Sequence, residues 1–106
     1  MIFVDTGAWI ALSDKSDQYH DEGRAIYARL KAQRVRLMTT DYIIDETVTR
    51  IRYDSGHENA VRFLDLIEQA GRTGVVRIIS IESRLFQTAL FCFRRNWNFP
   101  LFSLVV

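Results

Sequence analysis

Two carboxylates carry the chemistry that this sequence offers. Asp5 closes the apolar run Ile2-Phe3-Val4 and leads into Thr6-Gly7-Ala8-Trp9-Ile10-Ala11-Leu12. Glu46 lies in Thr39-Thr40-Asp41-Tyr42-Ile43-Ile44-Asp45-Glu46-Thr47, about two turns into a helical pattern that follows a second apolar run. If both runs are parallel strands, their ends share one edge of the sheet, where open α/β folds hold ligands. Carboxylate oxygens there suit a hard divalent cation, Mg²⁺ or Mn²⁺. Such an ion lowers the pKa of a bound water and offsets charge on a phosphodiester. Thr6 could orient Asp5 or add a polar contact.

Other chemistries lack their residues. Asp5-Thr6-Gly7 has no second acid of an Asp-x-Asp phosphatase pattern, and no glycine-rich loop follows the first strand. His20 and His57 stand alone in polar segments expected to be exposed, without metal-ligand spacing. Cys92 sits in an apolar helical pattern with no activating base nearby, which indicates packing. Trp9 and Trp97 read as core or interface residues.

The elements that must position Asp5 and Glu46 follow from periodicity. Strand-like runs occur at Ile2–Val4, Val35–Thr39 and Val75–Ile79. Between the first two, Tyr19, Gly23, Ile26, Tyr27 and Leu30 keep helical spacing, with Ser16 or Asp17 as the expected N-cap. Ile44, Val48 and Ile51 define the next helix after the potential caps Thr39 and Thr40. Ser55 and Glu58 form a capping-box pair before Ala60, Phe63, Leu64 and Ile67, and Gly71 is placed for a C-cap. A last helix carries Leu85, Phe86, Ala89, Leu90 and Phe93 and ends before Pro100. The tail Leu101–Val106 is β-prone. Strands separated by helices indicate a parallel sheet with right-handed crossovers and helices on both faces.

Composition sets the bounds. A chain of 106 residues is one small domain, and 48% hydrophobic with 25% charged residues is ordinary for a globular protein. No apolar run approaches a membrane span, and no secretory leader is recognisable. The single cysteine cannot form an internal disulfide, which fits a cytoplasmic setting. Net charge is +1, so nothing global demands a nucleic-acid partner. Two lysines among fourteen basic residues leave twelve arginines, the side chain that grips phosphates bidentately. Arg24, Arg29, Lys31, Arg34 and Arg36 gather in one stretch, and Arg94 and Arg95 lie near the end.

Taken with Asp5 and Glu46, the two quoted segments resemble the PIN-domain family, and within it the VapC-type toxins. The likeness continues more loosely over nearly the whole chain. It implies a single PIN-like domain over residues 1–106, with a three-layer α/β/α fold and a small parallel sheet. It also implies a Mg²⁺- or Mn²⁺-dependent endoribonuclease in which Asp5 and Glu46 are the catalytic and metal-ligating acids and Thr6 supports them. The partners implied are an RNA substrate, a cognate antitoxin that occupies the acidic site, and a second copy of the chain in a homodimer or higher oligomer.

The resemblance further implies a third acid after a Ser-centred motif, which Asn98-Phe99-Pro100-Leu101-Phe102-Ser103 approaches. No Asp or Glu follows Glu82. The expected fold is therefore incomplete at its C-terminus, and two protein carboxylates stand where three or four are usual. This motivates an alternative expectation, a non-catalytic PIN-fold protein that binds an antitoxin or oligomerises. The family's first strand lies mid-sheet, so an incomplete sheet exposes its edge and invites pairing with another chain.

Overall fold

The computed structural model describes residues 1–81. Their order is β1 (Ile2–Phe3), α1 (Thr6–Ser13), α2 (His20–Ala32), β2 (Leu37–Thr40), α3 (Asp41–Ser55), α4 (His57–Arg72) and β3 (Val76–Ile79). The expected last helix, the tail strand, Cys92, Trp97, Arg94 and Arg95 lie outside the described residues. All three expected strands form, each a little shorter than its apolar run. They make a parallel sheet in the order β1-β2-β3, with Ile2 opposite Leu37 and Leu37 opposite Val76.

Sequential order in a parallel sheet with right-handed crossovers puts every connecting helix on one face. The core confirms it. Val4, Leu37 and Val76 project to a common side and pack with Ala8 and Trp9 of α1, Ile51 of α3, and Ala60, Phe63 and Ile67 of α4. Ile26, Tyr27 and Leu30 bring α2 against the same cluster. Trp9 and Phe63 meet edge to face, with centroids 6.2 Å apart. The register turns Phe3, Met38 and Arg77 to the opposite face. The described residues thus supply two of the three expected layers.

Three local expectations change. The first concerns α2, whose N-cap is Tyr19, without a side-chain cap bond. Ser16 and Asp17 serve the preceding turns instead: Asp14 Oδ1 accepts from Ser16 N (2.9 Å) and Oγ (2.6 Å), and Asp17 Oδ1 accepts from Tyr19 N (2.8 Å). Those two donors hold the Asp14 carboxyl below its ordinary value. The second is the Ser55–Glu58 capping box, which does not form because α3 runs through Ser55. Gly56, at φ 94°, separates the two helices and takes the N-cap position of α4. The third is Gly71, which lies inside α4. The left-handed residue is Gly74, at φ 78°, two positions beyond the helix end.

His20 is also not exposed. It is the first residue of α2, buried, with Nδ1 2.7 Å from the Ala11 carbonyl. A carbonyl only accepts, so Nδ1 carries the proton and ties the start of α2 to α1. His57 is exposed, as expected.

Candidate active site

β1 and β2 each pass almost directly into a helix, and this places the candidate residues. After Phe3, the Val4 amide donates to the Met38 carbonyl at 2.8 Å, the last backbone bond from this strand to β2. Asp5 then turns the chain as the N-cap of α1, its Oδ1 accepting from Ala8 N at 3.0 Å. At β2, Thr40 is both the last strand residue and the N-cap of α3, its hydroxyl accepting from Ile43 N at 3.2 Å. α1 and α3 therefore begin at the same end of the sheet. Their N-terminal dipole ends favour anions there.

Thr6 and Glu46 meet across forty positions. The Thr6 hydroxyl, buried at 5% exposure, donates to Glu46 Oε2 at 3.0 Å. Glu46 itself is exposed and Asp5 half-buried. The expected gathering of Asp5, Thr6 and Glu46 at one sheet end is realised in the backbone, with Thr6 oriented on Glu46 rather than on Asp5. A buried relay supports it from below. Trp9 Nε1 donates to Thr39 Oγ1 at 3.3 Å, and that hydroxyl donates to the Val4 carbonyl at 3.1 Å. Thr39 is fully buried. Sequence reading offered Thr39 only as a cap; its strand position within an alternating run was the available signal that it faces inward.

Asp41 and Asp45 share this end, though the sequence assigns them no role. Asp41 accepts from Tyr42 N, Ser80 Oγ and Ile81 N. The arginine stretch divides differently from expectation. The Arg36 carbonyl accepts from Ile2 N at 3.0 Å, which places Arg36 at the N-terminal end of the sheet, opposite Asp5. Arg34 and Lys31 precede it on that side. A groove of about 870 Å³, lined by Trp9, His20, Arg24, Tyr27, Asn59 and Arg62 among others, includes neither Asp5 nor Glu46 among its described lining residues.

The donors that sequence reading assigned at the acidic end are all oxygen: the Asp5 and Glu46 carboxylates, with the Thr6 hydroxyl engaged on the second. That fits a hard cation and excludes a thiolate or imidazole site. Among the described residues, no group of three or more His, Cys, Asp or Glu side chains is placed to hold a metal. Asp5 and Glu46 would leave most coordination positions to water, phosphate oxygens or groups outside residues 1–81.

A parallel sheet with acids at its C-terminal edge and helices returning over one face makes the described residues an α/β unit. Comparison with known proteins narrows the class. No family profile matches the chain. Two curated proteins, each the 23S rRNA-specific endonuclease VapC20 from a strain of Mycobacterium tuberculosis, are 34% identical over 61 residues, 58% of this chain. The chain spans 44% of the length of these relatives in that match. The crystal structure of Mycobacterium tuberculosis VapC20, described as a Sarcin-Ricin loop cleaving toxin, superimposes with a TM-score of 0.69 at 27% identity. That match covers 96% of this chain and 75% of the other. The chain thus shares its fold, and over 61 residues its sequence, with VapC20. No helix among the described residues is long and apolar enough to cross a membrane.

Proposed function

We propose that the chain is a divalent-metal-dependent endoribonuclease of the VapC toxin type, with Asp5 and Glu46 as its metal-ligating acids. The observation that carries this reading is the Thr6–Glu46 hydrogen bond, which joins the end of β1 to α3 at the sheet edge where both helices begin. Likeness to VapC20 supplies the substrate class, RNA. Mg²⁺ or Mn²⁺ bound by Asp5 and Glu46 would offset phosphodiester charge and ease deprotonation of the attacking water.

The protein groups have separable tasks. Asp5 is fixed by its own cap bond to Ala8, so one carboxylate oxygen is oriented by α1. Thr6 holds one Glu46 oxygen and leaves the other available. The amino ends of α1 and α3 place positive dipole ends toward a bound phosphate. Water activation is thereby confined to one face of the acidic edge.

The partners follow from the same reading. RNA binds at the acidic edge through the cation, and a cognate antitoxin blocks that edge. A second copy pairs along β1, which among the described residues has β2 on one side only. Pure protein incubated with labelled RNA and Mn²⁺ should cleave, and chelation or Asp5→Asn should abolish cleavage. Turnover unchanged by Asp5→Asn would remove the assignment. The finding of two carboxylates and no third in metal-binding placement among residues 1–81 favours one alternative, a non-catalytic protein that binds antitoxin. Tight binding of a small copurifying partner without any chelator-sensitive cleavage would select it.

A further inference from the structure

Asp41 stands at the acidic edge, yet its carboxylate is already engaged. Oδ1 accepts from Tyr42 N at 2.9 Å and from Ile81 N at 3.1 Å, while Oδ2 accepts from Ser80 Oγ at 3.2 Å. Ser80 and Ile81 directly follow β3, and Tyr42 belongs to the first turn of α3. A carboxylate offers about four lone-pair sites, so three donors leave little capacity for a cation. Its contacts point to a different task.

The start of α3 is consequently held from two strands. Thr40 caps it from β2, and Asp41 fastens it to the chain leaving β3. Glu46 lies five residues further, about 7.5 Å along the helix axis. Its bond from Thr6 is 3.0 Å long, and such a bond is gone by about 3.6 Å. The placement of α3 therefore sets how well Glu46 can reach Thr6. Nothing in the sequence near Asp41 announces this, because two of its partners lie 39 and 40 positions away.

We propose that Asp41 is a positioning residue, which through the first turn of α3 sets Glu46 against Thr6 and so prepares Glu46 for a divalent cation. The cation clause rests on the reading of the acidic edge given above. The positioning clause does not need it.

Two measurements on the full chain separate these clauses. The first is a double-mutant cycle of Asp41→Ala with Thr6→Val, read as the urea midpoint. Asp41 and Thr6 share no recorded contact, so independent structural roles give additive shifts. Positioning predicts that the shift caused by Thr6→Val falls by at least half in the Asp41→Ala background. Equal shifts in both backgrounds overturn the proposal.

The second is Mn²⁺ affinity by calorimetry. Asp41→Ala should weaken it about tenfold, as expected for a supporting contact behind a ligand. Asp41→Asn retains an acceptor for Ile81 N and should restore most of that loss. Ile67→Val, which loosens the packing of α4 in the core, should leave the affinity within twofold of the parent. Parent protein that binds no Mn²⁺ would overturn the cation clause, and the cycle would still decide the positioning clause. Tight Mn²⁺ binding that Asp41→Ala leaves unchanged would show that Glu46 does not depend on Asp41.

Discussion

The Asp5 carboxylate accepts the Ala8 amide and is also a proposed metal ligand, so stability and the proposed chemistry meet in one side chain. Asparagine is as good an N-cap as aspartate, whereas alanine costs about 1 kcal/mol. Asp5→Asn should therefore unfold within about 0.5 kcal/mol of the parent by urea titration while losing all metal-dependent cleavage. Asp5→Ala should lose both. At Trp9, the indole donates to Thr39, whose own hydroxyl still has Val4 O to serve. Trp9→Phe should accordingly cost only about 1 kcal/mol, against about 3–5 kcal/mol for Trp9→Ala. At Asp14, the Ser16 contacts hold the carboxyl below the ordinary carboxylate range. A depressed carboxyl stabilises the fold above its unfolded pKa and loses that contribution as pH falls through the folded value. Ser16→Ala should raise the Asp14 midpoint in a carboxyl NMR titration. Asp5 and Glu46 were readable from sequence because strand-end acids before helix patterns are local signals. His20 was not, because its neighbours Gln18, Tyr19 and Asp21 are polar. The helix starts one residue later than Tyr19 suggests, which turns His20 inward.

Among the elements, α4 shows how a helix end is set by backbone conformation rather than by composition. Gly71 is helical, and an added Cβ would lie 3.2 Å from Ile78 Cδ1, the end of a side chain that is 39% exposed and able to shift. Gly74 is left-handed, where alanine is strained. Gly71→Ala should raise stability by about 0.5–1 kcal/mol through helix propensity. Gly74→Ala should lower it by about 1–2 kcal/mol, both read by thermal unfolding. α2 ends in a Schellman arrangement, with Val35 N bonded to Leu30 O and Arg34 N to Lys31 O. Arg34 takes the left-handed position at φ 55°, so Arg34→Gly should stabilise by about 1 kcal/mol. Most elements within residues 1–81 were legible from their period, but whether one or two helices precede β2 was open, because Thr6–Ser13 is largely apolar and has no period of its own. Boundaries at Ser55 and Gly71 were not legible, because a capping-box pair and a glycine fit their motifs equally well inside a helix.

At the scale of the whole molecule, strand order decides where the helices lie. With the order β1-β2-β3, right-handed crossovers lay α1 to α4 over one face and send Phe3 and Met38 to the other. Sequence reading expected helices on both faces; the parallel sheet itself was readable once strands and helices were placed. The distribution of charge was not, because it depends on which end of the sheet each turn occupies. Asp5, Asp41, Asp45 and Glu46 gather at one end, and Arg34 and Arg36 lie toward the other. Among the described residues, these acids and these two arginines are thus separated along the strands. RNA approaching the acidic end has no help from this pair of arginines, so its affinity there should fall sharply when Mn²⁺ or Mg²⁺ is withheld. Fluorescence anisotropy with and without chelator measures this. In light scattering at low micromolar concentration the chain should run as a dimer or larger, and a monodisperse monomer would refute pairing along β1.

Thr40 ends β2 and Asp41 begins α3, with no residue between them. Chain length at this joint therefore carries information. One inserted residue advances everything beyond it by about 100° around the helix and 1.5 Å along it. Glu46 would then face away from Thr6 although no side chain had been replaced. The segment from Asp14 to Tyr19, which links two helices through hydrogen-bonded turns, has only the His20–Ala11 contact to keep and touches neither Thr6 nor Glu46. Insertion scanning should find the joint after Thr40 intolerant and that segment permissive, an asymmetry that substitutions alone cannot reveal.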